Sequence, residues 1–114
     1  MAYGFHLSFS KDVTNVVQDV DANNPIRLGM IQAYNPNAAA VYLQFFAESA
    51  SSVTLGTTVP TVSIGIGPGD TLSQNFSSGW KFPGSAFSTA ITSTAVGNGA
   101  PVASVRLSLV YGGA

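Results

Sequence analysis

The chain has 114 residues, only 8% of them charged, with a net charge of −1 and no cysteine. A chain of this length folds as one domain that buries a core without disulfide bonds. Four basic residues cannot form the clustered positive surface that binds nucleic acid, and no apolar run reaches the roughly 18 residues that span a membrane. We therefore expect neither nucleic acid nor a membrane as a partner.

The low charge has two interpretations. Soluble domains carry about 25% charged residues on average, so this surface belongs either to an unusually uncharged monomer or to a protein covered in an assembly. Because a net charge near zero promotes association, we favour the assembly.

The first predicted element is an alternating strand over residues 1–10. One face of it is aromatic and apolar, with Tyr3, Phe5, Leu7 and Phe9. Lys11-Asp12 interrupts the pattern before a second, weaker strand. The first strand either joins the sheet of its own domain or forms an arm whose aromatic face packs on a neighbour. We therefore divide the chain into an N-terminal strand or arm, residues 1–12, and a β-sandwich domain, residues 13–114.

Residues 34–46 predict the centre of the core. Asn35-Pro36-Asn37 is a strong turn signal, because proline lacks a backbone N–H and asparagine accepts turn geometry. The segment before it, residues 26–34, is extended, and residues 41–46 alternate with the period of a strand. We interpret them as two neighbouring strands joined by a short turn.

Further strands follow at 59–66, 72–76, 87–96 and 102–111. Gly67-Pro68-Gly69-Asp70 predicts a hairpin turn, and Trp80, Lys81 and Phe82 are assigned to a tight loop closed by Pro83-Gly84. Seven or eight short strands without a helix predict an all-β fold. We expect a single-domain antiparallel β-sandwich of seven to eight strands, Ig-like or jelly-roll-like.

No catalytic constellation is present, so we predict that the protein is not an enzyme. His6 is the only histidine, and an ordinary polar-face histidine is favoured over a catalytic base recruited from a terminal strand. Asp19, Asp21 and Asn23 have the spacing that opens a calcium loop, but Asn24-Pro25 replaces the required glycine. The glycines of residues 65–69 lack the lysine and helix of a phosphate-binding loop. We predict no cofactor and no metal.

The aromatic side chains are the remaining candidates for function. Trp80 and Phe82 suit stacking on a sugar, although such a pair more often packs over the edge of a sandwich core. As interface candidates we name Tyr3, Phe5, Leu7 and Phe9 in the arm, with Trp80 and Phe82 as anchors.

Several short motifs follow one another in an order that resembles that of a known group of proteins. They are Asn35-Pro36, the strand 41–46, Gly56-Thr57-Thr58-Val59-Pro60, Phe76-Ser77-Ser78-Gly79-Trp80-Lys81-Phe82 and the terminal Val110-Tyr111. Together they resemble the pattern of small virion structural proteins of tailed phages, over residues 26–111.

The resemblance implies a capsid decoration (cement) protein. Such proteins are β-sandwiches, commonly trimers, that sit on the outer capsid surface where major capsid protein subunits meet. It leaves a tail, neck or fibre component open, as well as a carbohydrate-adhering module, because similar sandwiches serve many functions.

Overall fold

Eight antiparallel strands form two four-stranded sheets in the computed structural model, which describes residues 7–113. The strands are β1 (Leu7–Val13), β2 (Gln18–Asp21), β3 (Ile26–Tyr34), β4 (Val41–Phe46), β5 (Val62–Ile66), β6 (Thr71–Phe82), β7 (Phe87–Thr92) and β8 (Val105–Gly113). A single turn of 3-10 helix, Ala50–Ser52, interrupts the connection between β4 and β5. The prediction of an all-β sandwich is confirmed.

The strand order identifies the sandwich as a jelly roll. Sheet A has the order β1-β8-β3-β6 and sheet B the order β2-β7-β4-β5. Apart from the hairpin of β4 and β5, every two consecutive strands lie in opposite sheets. This is the eight-stranded, double Greek-key arrangement, so of the two expected sandwich types the jelly roll is the one observed.

The predicted pairing of the strands around Asn35-Pro36-Asn37 is wrong. β3 pairs with β6 and β8 in sheet A, whereas β4 pairs with β5 and β7 in sheet B. The Gly67–Asp70 turn likewise joins β5 to β6 across the two sheets and makes no hairpin. A turn signal shows where the chain reverses, but it does not show which strand becomes the hydrogen-bonding neighbour.

Two strands run further than their sequences indicate. β1 continues through Lys11-Asp12 to Val13, in register with residues 105–107 of β8. β6 continues through the predicted loop to Phe82, since Trp80 pairs with Leu28 of β3. Between Asn75 and Trp80 the strand bulges, and Gly79 has the positive φ of 80° that such a bulge requires.

Aromatic rings from both sheets meet in the core. The Phe45 ring of β4 lies 5.8 Å from that of Phe82 in β6 and 5.1 Å from that of Phe87 in β7. The alternation predicted for β4 is confirmed here, because Leu43 and Phe45 are fully buried in the core between the sheets.

Sheet B is buried on its outer face as well. Gln44 and Phe46 are fully buried although they alternate with the core residues of β4. The Gln44 amide donates to the hydroxyl of Thr92 at 2.7 Å and to the carbonyl of Gly97 at 3.2 Å, and Ser88 donates to the carbonyl of Glu48 at 2.7 Å. The long connections after β4 and β7 therefore cover this face.

Asn35 joins two of the six connections that cross between the sheets. Its buried amide nitrogen donates to the carbonyls of Ala39, Ile66 and Gly67 at 2.9, 3.0 and 3.0 Å. Its backbone N–H donates to the carbonyl of Asp70, and its carbonyl accepts from Gly69, both at 3.0 Å. One side chain thus holds the β3–β4 and β5–β6 connections together.

This arrangement predicts a large effect of a nearly isosteric substitution. In Asn35→Asp a carboxylate would face three carbonyls, and we expect the free energy of unfolding to fall by about 3 kcal/mol at neutral pH. The loss should shrink in acid, where the protonated carboxyl group regains one donor. Urea unfolding measures both values, with Asn98→Asp, on an exposed loop, as the control. Equal stability of the two variants would contradict the role given to Asn35.

Candidate interaction surface

The sandwich has two lateral sides with different properties. The short connections of residues 14–17 and 67–70 place β1 beside β2 and β5 beside β6, and all four strands are at sheet edges. We call these the β1–β2 side and the β5–β6 side.

The β1–β2 side is closed. Phe9 is 6% exposed, Val13 is fully buried and Tyr111 is 7% exposed. The Tyr111 hydroxyl donates to the carbonyl of Val20 at 3.1 Å and so links β8 of sheet A to β2 of sheet B. The Lys11 ammonium group lies 5.5 Å from the centre of the Phe9 ring.

The β5–β6 side is open and apolar. Among the described residues, six half-buried hydrophobic side chains pack against the core, and five of them are on this side. They are Val62 and Ile64 of β5 with Leu72, Phe76 and Trp80 of β6. Apolar area left half-exposed in one contiguous stripe is typical of surfaces that contact another molecule.

Charged residues of the four edge strands, unlike the half-buried hydrophobic ones, lie mostly on the β1–β2 side. The two strands of the β1–β2 side carry Lys11, Asp12, Asp19 and Asp21. Lys81 is the only charged residue in β5 and β6. Edge strands are usually protected from pairing with other chains by charges, proline or bulges, so the β1–β2 side is protected and most of the β5–β6 side is not.

The unpaired backbone edge completes this surface. Among the strands that the structure describes, β5 pairs with β4 alone and β6 with β3 alone. The outer N–H and C=O groups of Val62–Ile66 and Thr71–Asn75 are therefore open to a further strand. We call the half-buried stripe and these two edges the β5–β6 seam; its chemistry suits strand addition by a protein partner.

The predicted interface residues are dispersed. Trp80 lies in the seam, with its ring 5.3 Å from that of Phe76 and 4.7 Å from that of Phe82. Leu7 is 38% exposed at the start of β1, on the opposite edge of sheet A. Tyr3 and Phe5 lie outside the described residues.

Two of the named residues belong to the core. Phe82 is 1% exposed and Phe9 is 6% exposed, so neither offers a surface to a partner in this conformation. Alternation shows which face of a strand a side chain takes, but it does not show whether a second sheet covers that face. This is also why Val62, Ile64, Leu72 and Phe76 were not singled out: edge position is absent from the local pattern.

A second apolar feature lies at one end of the sandwich. A shallow pocket of about 270 Å³ is formed by Pro36, Asn37 and the residues 38–41 and 100–103, with Ser93. The side chain of Val102 is fully exposed beside it. No charged group lines this pocket, and it has few polar groups to orient a ligand.

Metal and calcium sites find no support in the part of the chain that the structure describes. No group of three His, Asp or Glu residues there is arranged to hold a metal ion. Asp21 instead accepts hydrogen bonds from the backbone N–H groups of Asn23 and Asn24, both at 3.1 Å, so it closes a turn.

No protein family, curated protein or solved structure matches this chain. Within residues 7–113, no helix has the length and apolar character needed to cross a membrane.

The closed side provides a pH-dependent test. Burial raises the pKa of the Tyr111 hydroxyl above its usual value, and the negative charge of Asp21 raises it further. Because the folded protein holds this proton more tightly than the unfolded chain, the associated stability is complete below the unfolded pKa and is lost as pH rises through the folded pKa.

We expect Tyr111→Phe to reduce the alkaline loss of stability. At neutral pH the variant should lose about 1 kcal/mol, the contribution of one hydrogen bond. Urea unfolding across the neutral to alkaline range measures both effects. Tyr34→Phe, at a side chain that is 50% exposed, is the control. A Tyr111 variant with an unchanged alkaline profile would contradict this assignment.

Proposed function

We propose that this chain is a non-enzymatic virion structural protein, a capsid decoration protein of a tailed phage. In this role it sits on the capsid surface, bridges major capsid protein subunits and assembles as a homo-oligomer. The β5–β6 seam carries the proposal, because an uncharged apolar stripe between two unpaired strand edges is suited to permanent contact with protein.

The jelly-roll architecture supports the same proposal at the level of fold. Eight-stranded jelly rolls are common in viral capsid proteins, but they also occur in lectins and cupins, so the fold by itself does not select the function. The motif order over residues 26–111 adds the resemblance to phage decoration proteins. A tail, neck or fibre component uses the same surface chemistry and differs in copy number.

The carbohydrate alternative is less well supported by the geometry of Trp80. A sugar stacks on the free face of an aromatic ring, whereas the Trp80 ring has the rings of Phe76 and Phe82 within 5.3 Å and 4.7 Å. These contacts make Trp80 part of an aromatic cluster that supports the seam.

Copy number in the virion distinguishes head from tail. We expect quantitative mass spectrometry of purified virions to find this chain in numbers comparable to the major capsid protein. A handful of copies per particle would indicate a tail or neck component, and absence from virions would overturn the virion proposal.

A matched pair of variants tests the seam itself. Ile64→Lys places a charge in the β5 part of the half-buried stripe, and we expect recombinant protein carrying it to bind undecorated capsids at least about tenfold more weakly, because the ammonium group must be desolvated. Val16→Lys, at a residue that is 65% exposed in the β1–β2 connection, should bind normally. Equal binding of both variants would contradict the use of the seam.

A separate truncation tests whether the N-terminal arm binds the capsid. Removing residues 2–10 would take away Phe9, a core residue, and most of β1. Removing residues 2–6 leaves β1 intact and tests the arm alone. If the arm binds the capsid, the shorter chain stays folded by circular dichroism and binds capsids more weakly. Unchanged binding would confine the interaction to the seam.

A further inference from the structure

We propose that two copies of this chain join through their β6 edges, antiparallel, about a two-fold axis at Gln74. Sheet A then continues from one copy into the other, and the β6 residues of the two half-buried stripes cover each other. The inference rests on the proposed function only in taking the β5–β6 seam as a protein-binding surface; it adds that a second copy occupies the β6 edge, which leaves the β5 edge to the capsid.

Charge favours a second copy over a contact between different edges. Residues 72–76, which are centred on Gln74, contain no charged residue, so bringing them against themselves causes no like-charge repulsion. Pairing them with the edge of β1 would instead place them beside Lys11-Asp12, which sits within that strand. A surface that is complementary to itself generates a two-fold dimer.

The side chains of β6 select the register. Leu72 and Phe76 both point toward the core side and are half-buried there. Antiparallel pairing centred on Gln74 sets Leu72 opposite Phe76 of the second copy, and the two-fold axis repeats this apolar contact. Centring on Ser73 would set Leu72 opposite Gln74, and a shift by one residue would turn every side chain to the wrong face.

Gln74 has the chemistry that the axis position needs. It belongs to the cross-strand row of Ile31 and Leu109, which are core residues, yet Gln74 is exposed. An uncovered amide on the core side of an edge strand can donate to and accept from its own copy. Paired in this way, it satisfies the polar groups that the dimer would bury.

The bulge between Asn75 and Trp80 limits the contact. A bulge bends the strand and ends regular pairing, so the shared ladder is confined to the first half of β6. Because the bulge shortens the open edge, β6 forms one defined pair and does not recruit further strands. The dimer differs from the trimer that the family resemblance implies, which makes the two distinguishable.

A single introduced cysteine reports the register, because the natural chain has no cysteine. In Gln74→Cys the thiol lies opposite its own copy, and we expect disulfide-linked dimers under mild oxidation at a rate about tenfold above that of Ser73→Cys, whose side chain meets residue 75 instead. Ser10→Cys, on the far edge of sheet A, is the second control.

Sedimentation equilibrium provides the measurement without a cysteine. We expect the unmodified chain to be a dimer at micromolar concentration and Leu72→Lys to be a folded monomer, with unchanged circular dichroism. A monomeric unmodified chain, a trimer, or equal crosslinking at positions 74 and 10 would overturn the two-fold pairing.

These outcomes separate the inference from the proposed function. A monomer or trimer that is abundant in virions leaves the decoration function standing and removes the β6 dimer. A chain that crosslinks at position 74 but is absent from virions supports the dimer and removes the virion proposal.

Discussion

The jelly roll depends on its crossings between sheets, and the side chain of Asn35 holds two of them. Six of the seven connections pass from one sheet to the other, so the loops must be fixed for the sheets to keep their alignment. The Asn35 amide satisfies three carbonyls of the crossing segments, while its side-chain oxygen accepts from the backbone and amide N–H groups of Asn37, both at 2.9 Å. Asn37 in turn donates to the carbonyl of Ala103 at 3.0 Å, which adds the connection before β8. Buried networks of this kind specify one arrangement because each unmade bond is costly.

The two lateral sides of the sandwich differ in how fully their apolar side chains are covered. Phe9, Val13 and Tyr111 complete the core on one side, and the neighbouring charges keep other strands away. On the other side, Leu72 and Phe76 pack against the core without being covered. Both sides contain apolar and aromatic side chains, but those of the β1–β2 side are more fully buried and that side also carries most of the charges of the four edge strands. The sandwich therefore has one protected and one unprotected lateral side.

The outer face of sheet B is also covered, which adds to this difference between the surfaces of the sandwich. The connections after β4 and β7 bury Gln44 and Phe46, so the outer face of that sheet is occupied by the chain itself. The outer face of sheet A remains exposed and carries small hydroxyl side chains such as Ser10 and Ser108, whose oxygens lie 3.2 Å apart. Among the described residues, five of the six half-buried hydrophobic side chains that pack against the core lie at the β5–β6 seam.

The sequence predicts from local patterns that the chain is all-β and where most strands lie, because the two-residue period and the turn residues are local properties. It also indicated an uncharged protein suited to assembly, and it drew attention to Trp80. It did not determine that β3 and β4 lie in opposite sheets, that Trp80 belongs to a bulged strand, or that Phe82 is buried. Those facts depend on which strands are neighbours, and hydrogen bonding between strands distant in sequence leaves no trace in the local pattern. Which strands are edges is a property of the tertiary structure, and the seam exists because β5 and β6 are both edges on the same side.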